Sequence, residues 1–231
     1  MHKLVTANQL ELGNTESSLN YVLRQNIPKG SKILDIGCNV GSLLENLRLE
    51  GYNNISGADT NKNALTNGRI IYPALKDKLF LSKNSKLPFK ENTFDVILMF
   101  DLIEHLKNPD KYLSSQVFRV LKNGGQLIFQ TPNKLINVPW VVFCDKSFSK
   151  YKKVHCSLQT LFSLRGLLEE SGFENICIEK FNINTMYNRK KLQRKLGILS
   201  IPLLKIIQKL PLVLYSNFFG HCTKGKRKKQ D

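Results

Sequence analysis

Short apolar runs alternate with amphipathic stretches along most of this chain. Ile33–Ile36, residues 54–59, Leu79–Ser82, residues 92–100, Gln126–Thr131 and Phe173–Phe181 are rich in Ile, Leu, Val and Phe and are set off by glycine, proline or asparagine. Such runs predict buried strands. Between them, Leu19, Val22 and Leu23 mark one face of a helix over 15–26, with Asn14 or Thr15 as its cap. Helical spacing returns over 42–50, from Thr60, from Asn108-Pro109 to Leu121, and from Ser157 to Gly172. Strands alternating with helices predict an α/β domain, and 231 residues are enough for one such domain with a full core and some excess.

One stretch organises the rest. Ile33, Leu34 and Ile36 enclose Asp35, Gly37 and Gly41 break the run, and Ser42 opens a helix. Strand, glycine turn and helix bring backbone N–H groups close to a ligand, with the positive end of the helix behind them. The acid lies near the carboxyl end of the strand, where open α/β sheets hold their ligands. Asp59 follows Gly37 by 22 residues at the end of the second strand. A carboxylate there suits both hydroxyls of a ribose.

Leu34-Asp-Ile-Gly-Cys-Asn-Val-Gly41 resembles the first motif of class I S-adenosylmethionine-dependent methyltransferases, and segments from about 15 to 181 agree in order. Phe94-Asp-Val and the run to Asn133 are similar to the ubiquinone- and menaquinone-biosynthesis-like group. The resemblance implies a Rossmann-like, doubly wound, seven-stranded and mostly parallel sheet with an antiparallel last strand. It implies S-adenosylmethionine as the methyl donor, held by Asp35, Gly37, Cys38, Asn39, Gly41, Asp59, Thr60, Asn84, Ser85, Phe100 and Asp101. Two departures stand out: Asn39 replaces a customary glycine, and Lys83-Asn84 replaces a loop whose acid meets the adenine amino group. Asn tolerates left-handed backbone, and the Asn84 amide oxygen can still accept.

Asp101, Glu104, His105 and His155 carry the acceptor chemistry in this reading. The pattern looks like the acid-x-x-Glu-His plus later His of small-RNA 2′-O-methyltransferases and of ubiquinone-pathway O-methyltransferases. All four as ligands imply Mg²⁺ binding and deprotonating an acceptor hydroxyl. Without a metal, Asp101 lies near the donor, His105 is a helix-capping or general-base residue, and His105 and His155 are the catalytic candidates.

The remaining segments bear on the acceptor. Residues 134–154 read as a long loop with Trp140, Phe143, Phe148 and Tyr151 among lysines, over the active site. Residues 189–214 pair an apolar face with Arg189, Lys190, Lys191, Arg194, Lys195, Lys205 and Lys209, as in a lid helix or a membrane-interface helix. The chain divides into a core with an N-terminal lid helix over 1–183, a basic amphipathic insertion over 184–214, a last strand over 215–223 and a basic disordered tail over 224–231.

Net charge is +17 and uneven: residues 185–231 hold twelve Lys or Arg against one acid. A basic end suits an anionic partner or membrane surface, or is a solvated face. Five scattered cysteines without a Cys-x-x-Cys pair indicate neither a disulfide framework nor a zinc site of the usual spacing. The start lacks a signal-peptide core, so the expected location is cytoplasmic, with peripheral contact at the inner membrane face through 189–229. The expected reaction is O-methylation of a small-molecule, glycan or lipid-linked acceptor. The alternatives are an RNA 2′-O-methyltransferase with a divalent metal and a non-catalytic methyltransferase-like binding protein.

Overall fold

In a computed structural model of the chain, residues 12–145, 155–181, 193, 197, 206 and 208–225 are described. Strands β1 (Ile33–Ile36), β2 (Ile55–Asp59), β3 (Leu79–Leu81), β4 (Phe94–Phe100), β5 (Leu121–Pro132), β6 (Phe173–Glu179) and β7 (Asn217–Lys224) form one sheet in the order β3-β2-β1-β4-β5-β7-β6. β1 pairs in parallel with β2 and β4, and β7 runs antiparallel to both β5 and β6. This is the Rossmann-like doubly wound sheet expected from the sequence. Chain order reverses between β1 and β4, so the turn after β1 opens at the switch point.

Alternation along each strand divides the core. Leu34, Ile97, Leu127, Phe129 and Phe218 pack on one face against Leu113 and Val117 and against Leu164 and Leu168 of α7 (Leu161–Glu170). Ile33, Leu98, Ile128 and Phe219 pack on the other against α1 (Leu12–Arg24), α2 (Ser42–Leu49) and α3 (Lys62–Ile71), through Val22, Leu44, Leu47 and Leu65. Both faces are covered, so β1 and β4 are almost wholly apolar.

Gly57 lets these layers close. A Cβ at this position would stand 2.6 Å from both Cys38 Sγ and Leu44 Cδ1, so the β1 turn and α2 lie directly on β2. Gly57→Ala should therefore cost about 1–3 kcal/mol. An unchanged urea midpoint would show that the turn yields freely.

Several boundaries differ from the sequence reading. α1 begins at Leu12, and Thr15 is buried inside the helix instead of capping it. Thr160, not Ser157, starts α7: it accepts from Ser163 N, and Ser163 answers in a capping box. The helix after Asn108 runs as α4 (Pro109–Tyr112), a π-helical stretch Leu113–Val117, and α5 (Phe118–Val120). Residues 122–125, expected as a turn, belong to β5, and its pairing with β4 shifts register between Phe94 and Val96.

The largest correction concerns the expected loop at 134–154. Residues Lys134–Asp145 form helix α6, with Pro139 inside it. Buried Asn133 starts this helix by accepting from Leu135 N, while its amide donates to Val213 O and Tyr215 O. The contacts that hold Asn133 come from a segment 80 residues away. Phe148, Tyr151, most of 184–214 and the tail after 225 lie outside the described residues.

Candidate active site

The residues expected to hold the donor gather where β1 and β2 end. Gly37 and Gly41 have φ of 81° and 88°, and Asn39 has 49°, so the turn needs left-handed backbone at three positions. The expectation that its N–H groups face a ligand changes here. Gly37 N and Cys38 N both donate to Ala58 O, Gly41 N to Cys38 O, and Asn39 N to Asp59 Oδ2. Ala58 O and the Asp59 carboxylate of β2 take three of these donors and Cys38 O within the turn takes the fourth, so the glycines serve close approach.

Asp59 is tied at both oxygens, with Oδ2 on Asn39 N and Oδ1 on Asn61 N, each at 2.8 Å. A carboxylate has about four acceptor sites, so two remain for a vicinal diol. Asp35 is buried, and burial with the like charge of Asp59 pushes its carboxyl up to about 8. Cys38 is buried behind it, its thiol raised by burial and by the same two acids. Thr60 is exposed at the end of β2, and Phe100 packs at the edge of the core. The two remaining acceptor positions of Asp59 fit the ribose of S-adenosylmethionine. The donor set matches this group on hydrogen bonding.

The residues expected to serve the acceptor start at the end of β4. Asp101 has φ 49°, and its N–H donates to Gln130 O and to Gln130 Oε1 at 3.1 and 3.2 Å. Burial raises its carboxyl above the usual range. Glu104 lies buried in the 3₁₀ turn Ile103–His105, accepts from Thr131 Oγ1 at 3.0 Å, and is pushed up to about 8 by burial and by Asp101. Ser157 N donates to Glu104 O, and Cys156 Sγ to His105 O, which brings His155 alongside. The His105 and His155 rings stand 5.0 Å apart, centre to centre. Burial and His105 hold the His155 imidazole below its ordinary pKa, so it is neutral at pH 7.

Of the four expected metal ligands the structure groups three. Donor atoms of Glu104, His105 and His155 lie within 4.8 Å of one another, and Asp101 stands outside that group, turned to Gln130. Two imidazoles and one carboxylate do not fit Mg²⁺, which prefers oxygen ligands.

Asp35 and Glu104 make stability depend on pH. Both bind a proton more tightly in the folded chain than when unfolded. Their contribution is therefore complete below the ordinary carboxylate range and is lost as pH rises towards about 8. His155, lowered on folding, acts the other way below its ordinary value. The melting temperature of the ligand-free protein should fall between pH 6.5 and 8 and then level, and Asp35→Asn should flatten the fall. A rising profile would contradict these environments.

Three contributors escaped the sequence reading. Gln130 and Thr131, polar residues ending an apolar strand, fix Asp101 and Glu104. Tyr112 is raised to about 12 by burial and by the Asp59 charge. It lines a cleft of about 620 Å³ together with Asn84, Ser85 and His105. Asn84 and Ser85 have φ of 50° and 58°, which sets their loop at the cleft wall. Lys86, Lys107 and Lys111 also line the cleft, and none of its lining residues is acidic.

A sheet of this order, with Asp35 near the end of β1 and Asp59 closing β2, defines a Rossmann-like doubly wound domain. Comparison supplies the family: a model described as a methyltransferase domain matches residues 15–178, and the chain belongs to that family. A ubiquinone biosynthesis O-methyltransferase of Aliivibrio fischeri (strain MJ11) is 33% identical over 122 residues, 51% of each chain. The chain thus spans about half the length of the curated relatives it matches. Among solved structures, a chain of the complex between the Haloferax volcanii Trm112 methyltransferase activator and a methyltransferase has a TM-score of 0.74 at 13% identity, covering 96% of this chain and 93% of that one. Haemonchus contortus phosphoethanolamine N-methyltransferase 2, solved with phosphomonomethylethanolamine and S-adenosylhomocysteine, has a TM-score of 0.65 at 20% identity, covering 91% and 53%. Among the described residues no helix is long and apolar enough to cross a membrane.

Proposed function

We propose that this protein transfers the methyl group of S-adenosylmethionine to a hydroxyl of a small acceptor that carries an anionic group. The observation that carries this reading is the shared cleft: the donor-side loop Asn84-Ser85 and His105 line one cavity. The O-methyltransferase relatives support oxygen as the methylated atom. Lys86, Lys107 and Lys111, with no acid among the lining, favour an anionic acceptor.

The donor supplies a methyl group on a sulfonium, an activated leaving group. What the chain adds is position and a place for the proton. Asp59 would accept from the ribose hydroxyls through its two remaining acceptor positions, while burial keeps Asp35 protonated beside it. His155, neutral at pH 7 and set beside His105, would take the hydroxyl proton as the methyl group passes from the sulfonium to the acceptor oxygen. Mg²⁺ has no part in this reading. Glycan and lipid-linked acceptors fall within the same class, and the basic segment 189–229 supports peripheral contact with an anionic membrane.

The test is to incubate the protein with methyl-labelled S-adenosylmethionine and an extract of its own cells, then partition the label. Label in small solutes or the organic phase supports the proposal. Label in RNA would establish the 2′-O-methyltransferase alternative, and no label in any fraction would favour a binding protein.

A further inference from the structure

A second cluster of donor atoms lies away from the cleft, on the outer strand pair. β6 alternates, so Cys177 and Glu179 share a face, and the antiparallel register sets His221 of β7 directly opposite Cys177. Donor atoms of Cys177, Glu179 and His221 all lie within 4.8 Å of one another, and all three residues are half-buried, within reach of solvent. In the sheet order, β4, β5 and β7 separate β6 from the glycine turn of β1.

We propose that Cys177, Glu179 and His221 bind a zinc-type divalent ion. The donor set is one sulfur, one nitrogen and one oxygen. That combination suits a borderline-soft ion of flexible geometry and disfavours Mg²⁺ and Ca²⁺, which take oxygen. Three protein ligands leave a fourth position open, as in zinc sites that keep a water.

Helix α1 supplies the surroundings. Tyr21 Oη donates to Glu179 Oε1 at 3.0 Å and stands 3.5 Å from His221 Nδ1, so it orients two of the three ligands. Tyr21 is itself wedged against Phe181 and Phe219. Arg24 Nη2 lies 3.2 Å from Glu179 Oε2 and is the cation that now neutralises it. An ion at the cluster would compete with Arg24 and would join β6 and β7 to α1 through Glu179 and Tyr21. Zinc sites recognised by sequence spacing have ligands a few residues apart. Here 44 positions separate Cys177 from His221, and only strand pairing unites them.

The experiment uses the full chain and Zn²⁺ alone, by equilibrium dialysis against a competing chelator, with Co²⁺ as a spectroscopic substitute. The wild-type protein should bind Zn²⁺ and show a thiolate-to-cobalt charge-transfer band. Cys177→Ser should abolish the band, and His221→Ala should weaken Zn²⁺ binding at least about 10-fold. Arg24→Gln, at an exposed position, should tighten binding about 10-fold by removing the competing cation. His155→Ala should leave the band intact. A cobalt band that survives Cys177→Ser, or Zn²⁺ affinity unchanged in both Cys177→Ser and His221→Ala, would overturn the proposal.

Discussion

Asp59→Ala should raise the dissociation constant for S-adenosylmethionine by at least about 100-fold. The carboxylate has two acceptor positions left after binding Asn39 N and Asn61 N. Each hydrogen bond from a ribose hydroxyl to a charged oxygen is worth about 1.5–3 kcal/mol, and two such bonds give at least a hundredfold. The substitution also removes the acceptor of Asn39 N in the left-handed turn, so part of the loss is lost order there. Asp59→Asn, which keeps one acceptor oxygen, should fall between wild type and alanine. Titration calorimetry of both variants, with circular dichroism to show that they fold, decides the matter. Wild-type affinity in Asp59→Ala would mean that the donor binds elsewhere.

His155→Ala should lower kcat about 10²–10⁴-fold while leaving donor affinity unchanged. The imidazole is neutral at pH 7 because burial and the neighbouring His105 disfavour its charged form. It can therefore receive the acceptor proton, and activity should decline only as pH falls below the ordinary histidine range. Glu104 cannot replace it: at about 8, its carboxyl is mostly protonated at neutral pH and bonded to Thr131. Chelator treatment separates this reading from a metal-dependent one. Activity should survive a chelator, and added Mg²⁺ should not rescue His155→Ala. Loss of wild-type activity on chelation, restored by a divalent ion, would assign Glu104, His105 and His155 as ligands instead.

The parts of this protein legible in the sequence are those governed by contacts between near neighbours. Ile33–Ile36, Gly37 and Gly41 announce a buried strand and a left-handed turn because only glycine takes those angles cheaply. Asp59 could be singled out because a fixed βαβ unit places it 22 residues after Gly37. The resemblance over 15–181 supplied the sheet and its antiparallel strand. It did not supply the use made of the turn's N–H groups, because the carbonyl of Ala58 that takes two of them belongs to the next strand.

Tertiary structure decided whatever depends on distant partners. Asn133 stands at the start of helix α6 with its amide held by the carbonyls of Val213 and Tyr215, which lie about 80 residues on. Asp101 leaves the histidine cluster because Gln130, on the neighbouring strand, holds it. The pairing of β6 with β7 brings Cys177 and His221 face to face, with no trace in their spacing. Local propensity and motif spacing thus determined the strands, the turn and the donor acid. Strand register and buried hydrogen bonds between remote segments determined which side chains meet, since a side chain's partner is set by where the sheet places it and not by its position in the chain.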